Sequence, residues 1–249
     1  MQVERASFEA LGSSCHLFIA DGKPERLAEG RAFVGQMHRR LTRFEPDSEL
    51  SCFNRSGGGW VAVSSELEAL LRASLWAHEA SGGLVNVAVL QSMLAAGYTR
   101  PLTEGPTTAA AEAVPLRPVP EVLEVRTGRA RLRYGAGIDL GGIAKGWLAD
   151  RLCERLGPNS LANLGGDLFA RGAGPEGEGW PVGVGGATLL LEDLGAATSG
   201  TWLRRWGKAH HLIDPRTGRP SESPIPQVSV VAATALEAEV KAKTALLSG

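Results

Sequence analysis

The 249-residue chain is short of the residues that most directly announce chemistry or location. Its three cysteines, Cys15, Cys52 and Cys153, lie far apart, with no CxxC pair and no Cys/His cluster. Zinc and iron–sulfur sites of the common spacings are therefore unsupported, and so is a disulfide framework. Aromatic residues make up only 6% of the chain, and no basic stripe interleaves them. With 26 Lys+Arg against 27 Asp+Glu, the net charge is -1. Neither a nucleic acid nor an anionic membrane is implied as a partner. There is no transmembrane run, and the N-terminal residues carry neither an apolar signal core nor a lipobox. The expectation is a cytoplasmic protein, or a processed fragment, without membrane insertion. No repeat of solenoid length is visible.

What remains is an ordinary globular composition, 43% hydrophobic and 21% charged. The length suits one large domain or two small ones. Residues 6–20 read as a strand hairpin edge. Residues 25–42 read as a long helix with Leu27, Phe33, Val34, Met37 and Leu41 on one face, ended by Arg39, Arg40 and Arg43. Residues 44–54 read as a polar loop. Residues 60–63 read as a strand, and Ser64-Ser65-Glu66 opens a helix that Gly82-Gly83 ends. Residues 100–120, rich in Pro, Thr and Ala, read as a surface excursion between two lobes of one domain spanning 1–249. Strands follow at 122–127 and 130–134, a helix at 147–156, short strands at 161–164, 181–184, 187–191, 196–199, 211–214 and 228–232, and a last helix at 233–247. The mixture lacks a regular βαβ alternation. It predicts an α+β fold with largely antiparallel sheets and flanking helices.

The densest chemistry lies in Gly137-Ile138-Asp139-Leu140-Gly141-Gly142-Ile143-Ala144-Lys145-Gly146. This is a strand-to-helix turn with one carboxylate, four glycines and a lysine. Backbone N–H groups at a helix start, with a lysine beside them, favour an anion. The stretch is not a Walker A loop, because no Ser or Thr follows the lysine, and it is not a GxGxxG fingerprint. Asp139 suits a cap on the following helix, or a contact to a ring imide or ribose. Lys145 in the first helical turn opposes the helix dipole, which hints at an anionic partner such as phosphate.

Three further glycine-bearing turns are readable: Asn163-Leu164-Gly165-Gly166-Asp167, Ala197-Thr198-Ser199-Gly200 and Ile213-Asp214-Pro215-Arg216-Thr217-Gly218. Together with the first they suggest one rim where backbone approaches a ligand. On the last helix, Glu237/Lys241 and Glu239/Lys243 are spaced to pair on a solvated face. A carboxylate there could instead serve a Mg²⁺ site. From spacing alone the surface pairs are the simpler reading.

Taken in order, Leu11-Gly12-Ser13, Phe44…Ser48-Glu49-Leu50-Ser51…Asn54, Asp139 to Gly146, Asn163 to Asp167, Thr198-Ser199-Gly200 and Asp214-Pro215-Arg216-Thr217-Gly218 resemble the ApbE family of FAD:protein FMN transferases. The resemblance implies an α+β protein that takes FAD as substrate, uses Mg²⁺, and transfers FMN to a threonine hydroxyl of an acceptor protein with release of AMP. It implies FAD contacts at Leu11, Phe44, Val85, Asn86, Val87, Asp139, Lys145 and Ile213. Asp139 and Lys145 would be the catalytic pair, and the Gly142 carbonyl and Glu239 the metal ligands. In this scheme Mg²⁺ neutralises the pyrophosphate and Lys145 stabilises its oxygens. Three features depart from the family pattern. Its Thr metal ligand falls on Lys243, and Thr244 next door is turned by about 100° on a helix. Its FDxT segment reads Val85-Asn86-Val87-Ala88, and its export signal is missing. Two alternatives stand beside the transferase. One is an FAD-binding protein with altered catalysis, in which Lys243 replaces Mg²⁺. The other is a Mg²⁺-dependent FAD pyrophosphatase.

Overall fold

The computed structural model describes residues 2–105, 107, 113–202, 204–206 and 209–249. In chain order the elements are β1 Val3–Ala10, β2 Ser13–Ala20, α1 Glu25–Leu41, α2 Glu49–Asn54, β3 Val61–Ala62, α3 Ser65–Ala80 and α4 Leu90–Ala95. After a 3₁₀ turn at Leu102–Glu104 come α5 Val119–Val122, β4 Leu123–Arg126, β5 Arg129–Leu132 and α6 Ala144–Leu156. Strands β6 Ser160–Leu164, β7 Asp167–Arg171, β8 Trp180–Val184, β9 Ala187–Leu191 and β10 Leu194–Gly200 follow. The chain ends with β11 Arg205–Trp206, β12 Ala209–His210, β13 Ile213–Asp214, β14 Arg219–Pro220, β15 Gln227–Ala232 and α7 Ala235–Ser248. The expected α+β class is what forms. None of these helices is long and apolar enough to cross a membrane.

The chain divides into two compact units, each built from three segments. The first comprises Met1–His38, Ile143–Ser199 and Val228–Ala242. It holds a six-stranded sheet in the order β1-β2-β6-β7-β10-β15, with β1–β2, β2–β6, β6–β7 and β7–β10 antiparallel. One cluster of its core packs Ala20, Leu161, Leu168, Ala170 and Ala196 with Trp180, Val182 and Leu191 of the β8–β9 hairpin. Helix α6 packs on β6 and β7. Leu27, Val34 and Met37 of α1 are buried at helical spacing. Each fully buried Leu or Met contributes roughly 1.5–3 kcal/mol. The second unit comprises Arg39–Gly142, Gly200–Gln227 and Lys243–Gly249. It holds the antiparallel sheet β3-β5-β4, the two-stranded ladders β11–β12 and β13–β14, and helices α2 to α5.

The polar loop expected at 44–54 is instead half helix. Ser48 accepts the Ser51 N–H at 3.0 Å, and this cap starts α2 in a segment too short for a clear periodicity. The strand expected at 196–199 forms within β10, which also takes in the glycine-bearing turn expected at 197–200; there the Thr198 hydroxyl bonds Ser229 of β15 at 2.8 Å. Helix α6 begins at Ala144, so Lys145 and Gly146 are helical. In the stretch 100–120, residues 106 and 108–112 lie outside the described residues. Leu116 there donates its N–H to the Pro215 carbonyl at 2.8 Å.

The starts of α6 and α7 are completed by each other. Ile143, the residue before α6, makes no side-chain cap. The Gly146 N–H donates to Glu239 Oε2 of α7 at 2.9 Å. In return Asp150 of α6 accepts the Ala235 and Leu236 N–H groups at 2.7 and 3.1 Å. Each carboxylate thus takes up orphan donors of the other helix. The approach is close enough that a Cβ at Gly146 would stand 2.6 Å from the Ala235 carbonyl oxygen. Gly146→Ala is expected to lower stability by about 1–3 kcal/mol, read as a drop in chemical-denaturation midpoint.

Burial pushes the Asp150 carboxyl up to about 6, winning over its two N–H donors. The folded state therefore binds this proton more tightly than the unfolded chain. The stabilising contribution is full below the unfolded value of about 4 and is lost as pH rises through about 6. Asp150→Asn is expected to abolish this term. The wild-type stability measured relative to the variant should fall by up to about 3 kcal/mol between pH 4 and 7.

Candidate functional site

In the second unit, Asp139 anchors a buried cluster. Its Oδ1 accepts the Gly141 N–H at 2.7 Å, closing a local turn, and its Oδ2 accepts Arg43 Nε at 2.6 Å. The backbone N–H of Asp139 donates to the Val87 carbonyl at 2.9 Å. Arg43 has a side-chain exposure of 5%, and it also donates to the Tyr98 carbonyl at 2.7 Å. Its guanidinium lies 4.2 Å from the Phe44 ring centroid and 4.5 Å from that of Tyr98. Tyr98 in turn stacks on Trp206 at 4.9 Å, and Trp206 Nε1 donates to the Ala96 carbonyl at 2.7 Å. The result is an aromatic platform beside a hydrogen-bonded carboxylate, which suits a planar polar ring.

Of the residues expected to contact FAD, Phe44 and Asp139 are thus joined through Arg43, and Val87 is bonded to the Asp139 backbone. Val85 and Val87 are buried, and Asn86 is turned inward. The Asn86 amide donates to the Arg117 carbonyl at 2.9 Å and accepts the Ala88 N–H at 2.8 Å. Ile213 is buried in β13 opposite Pro220. The loop after it is held by its own residues. Asp214 takes both sides of the Arg216 guanidinium at 2.8–2.9 Å and the Arg216 N–H at 2.9 Å, and these bonds hold its carboxyl below the usual range. Arg216 also donates to the Leu247 carbonyl at 2.7 Å. Beneath the loop, His210 Nε2 donates to the Ser221 carbonyl at 2.9 Å and Nδ1 accepts the Leu212 N–H at 3.3 Å. Burial lowers its pKa and favours this neutral form. A cleft of about 370 Å³ opens here, lined by Asp214, Thr217, Arg219, Pro220 and Glu222.

Gly142, also in the second unit, presents its carbonyl to the Lys243 ammonium, which donates to it. Lys243 lies directly over this glycine: a Cβ built there would stand 3.2 Å from Nζ and 3.5 Å from Cε.

In the first unit, Lys145 pairs with Asp167 and lies 3.9 Å from Glu239 Oε1. Both carboxylates are almost fully buried, and Lys145 is 13% exposed. The anion that a lysine in the first helical turn calls for is thus supplied by the chain itself. Two carboxylates at the positive end of α6 more than offset one lysine. The pairing also joins the start of α6 to the Asn163–Asp167 turn. Leu11 sits at the β1–β2 turn with a φ of 57°, a left-handed conformation that costs a non-glycine residue about 1–2 kcal/mol. On α7 the expected Glu237–Lys241 pair forms at 2.7 Å. The matching Glu239–Lys243 surface pair gives way to two other bonds: Glu239 turns to the Gly146 N–H, and Lys243 to the Gly142 carbonyl.

The sequence profile of the ApbE family matches residues 11–249. This chain belongs to the ApbE family. Its relatives include the FAD:protein FMN transferase of Treponema pallidum, 28% identical over 279 residues, covering 96% of this chain and 77% of that one. The FAD:protein FMN transferase of Salmonella typhimurium is 29% identical over 225 residues, covering 80% of this chain and 64% of its own length. Among solved structures, an ApbE protein from Thermotoga maritima superposes with a TM-score of 0.86 at 24% identity, over 99% of this chain and 87% of that one. The apo flavinyl transferase ApbE of Pseudomonas stutzeri gives 0.82 at 22% identity, over 100% and 86%. These two likenesses establish the ApbE fold.

Arg43, Tyr98 and Trp206 are the residues that sequence reading missed in this cluster. Arg43 reads as one of several basic residues closing α1, and its neighbour Arg40 behaves as such a surface charge, pairing with Glu49 and Glu66 at 2.7 and 3.3 Å. Only Phe44, directly after Arg43, carries a signal. Arg43→Met is expected to leave Asp139 without its buried partner and to destabilise the ApbE fold by about 3 kcal/mol, measured by urea unfolding.

Proposed function

We propose that this chain is an FAD:protein FMN transferase. The observation that carries the reading is the ApbE family match over 11–249, which takes in the Phe44–Arg43–Asp139 cluster and the Asp214 loop. In the proposed reaction a threonine hydroxyl of the acceptor protein attacks the FMN phosphorus of FAD. A new P–O bond forms to the acceptor oxygen, the bond to the AMP phosphate breaks, and the hydroxyl proton is released to solvent. AMP leaves with both bonding electrons. Because the acceptor brings the nucleophile, the chain's task is to bind, orient and neutralise charge.

Phe44 would pack against a planar ring of FAD, and Asp139, held ready by Arg43 and Gly141, would accept a hydrogen bond from a ring or ribose donor. Val85, Asn86, Val87 and Ile213 would shape the pocket walls. In the first unit, Lys145 would meet a phosphoryl oxygen by sharing its ammonium with Asp167, and Leu11 would contact FAD from its strained turn. A divalent cation on the Gly142 carbonyl does not fit the residues present. That oxygen already accepts the Lys243 ammonium, whose charge and bulk stand where the ion would approach.

Incubation with FAD and a purified candidate acceptor is expected to leave flavin fluorescence on the acceptor band in a denaturing gel, with one AMP per flavin attached. Replacing the acceptor threonine by alanine should abolish the band. Release of FMN and AMP at the same rate without any acceptor, and no labelled band with one, would replace this reading by FAD pyrophosphatase.

A further inference from the structure

We infer that Lys243 is a built-in cation at the Gly142 carbonyl, and that this chain therefore handles FAD without a divalent metal at that oxygen. The inference rests on the flavin-transfer reading for its ligand, and on the side chains themselves for its geometry. The Lys243 ammonium donates to the carbonyl oxygen that the family pattern gives to a metal. Its terminal atoms fill the space directly above Gly142, where even a methyl group would come within 3.2 Å of Nζ.

An ammonium carries three donors and no lone pair, so Lys243 cannot become a metal ligand while charged. Mg²⁺ requires a near-octahedral set of oxygens at about 2.0–2.1 Å and gives up water reluctantly. A lysine over the same oxygen blocks that approach sterically and by like charge. Glu239, one helical turn earlier, is also committed: its Oε2 takes the Gly146 N–H that α6 leaves unsatisfied at its start. The hard-oxygen set that the family pattern describes is thus replaced on this helix by one fixed positive charge and one capping carboxylate. A fixed ammonium can still face the diphosphate of FAD, supplying one positive charge that EDTA cannot remove.

The alternative is a lysine that only fastens α7 to the glycine turn. It predicts that Lys243 variants lose stability but keep the FAD affinity of the wild type. The two are separated by FAD affinity, measured through flavin fluorescence quenching in EDTA and in millimolar Mg²⁺. Wild type should bind within about twofold under both conditions. Lys243→Thr, which restores the family residue, should bind about tenfold more weakly in EDTA and recover with Mg²⁺. Lys243→Arg, which keeps a cation, should remain insensitive to EDTA and serves if the threonine variant does not fold. A wild type that loses about tenfold in EDTA, or a folded Lys243→Thr that binds FAD as tightly as wild type in EDTA, would overturn the proposal. Mn²⁺ titration followed by EPR, with no flavin present, gives an independent reading. Mn²⁺ held by Lys243→Thr but not by wild type supports the proposal, and Mn²⁺ held by wild type overturns it. Absence of FAD binding under every condition would refute the flavin reading alone and leave the Mn²⁺ result to decide this one.

Discussion

The first unit depends on an exchange of carboxylates between two helix starts. An α-helix leaves its first N–H groups without partners, and burying them unpaired costs about 1–3 kcal/mol each. At α7 the Thr234 hydroxyl caps only the Glu237 N–H, at 3.1 Å, which leaves earlier donors open. Helix α6 has no side-chain cap from Ile143, and α7 begins within contact of α6. Asp150 and Glu239 solve both problems at once. The arrangement demands glycine at 146, because the Ala235 carbonyl lies where a side chain would begin. It also makes Asp150 a carboxylate held against its own solvation, which burial pushes up to about 6. Placing α6 in this way fixes where Lys145 projects, and its ammonium then meets Asp167 and approaches Glu239.

Glu239 and Lys243 show how one helix can carry two different roles a single turn apart. Both residues read as surface charges by spacing, and the neighbouring pair Glu237–Lys241 is one. Glu239 instead is buried and caps α6, while Lys243 reaches the Gly142 carbonyl. Here they are tied to backbone groups of the glycine-rich turn, one to an N–H and one to a C=O.

The second unit rests on a different arrangement. Arg43 is buried against two aromatic faces and directs its donors to Asp139 and the Tyr98 carbonyl. A buried guanidinium needs such partners, since an unpaired charge there would be strongly destabilising. The pairing holds Asp139 at a fixed orientation beside Phe44. That rigidity is what a binding platform requires, because a side chain already locked in place loses little entropy when a ligand arrives.

Local signals in the sequence are enough for much of the fold. The Ser64 cap and the Gly82-Gly83 stop bound α3, apolar spacing marks the buried face of α1, and the strand-to-helix turn at 137–146 announces itself by its glycines. The family motifs follow from the same order of residues. Helix α2 escapes such a reading because a capped helix of six residues leaves no period to read, and 196–200 supports a turn as well as the strand that forms because its small residues suit both. The sequence alone determined the family, the α+β class and the residues worth asking about. Which charges turn inward was decided by tertiary structure: the Arg43 and Glu239 side chains are buried where those of Arg40 and Glu237 are not, and the half-buried Lys243 reaches the Gly142 carbonyl while Lys241 stays in a surface pair. Sequence spacing places these residues on a helix or at its end, but desolvation and the reach to a distant backbone atom depend on what the rest of the chain packs around them.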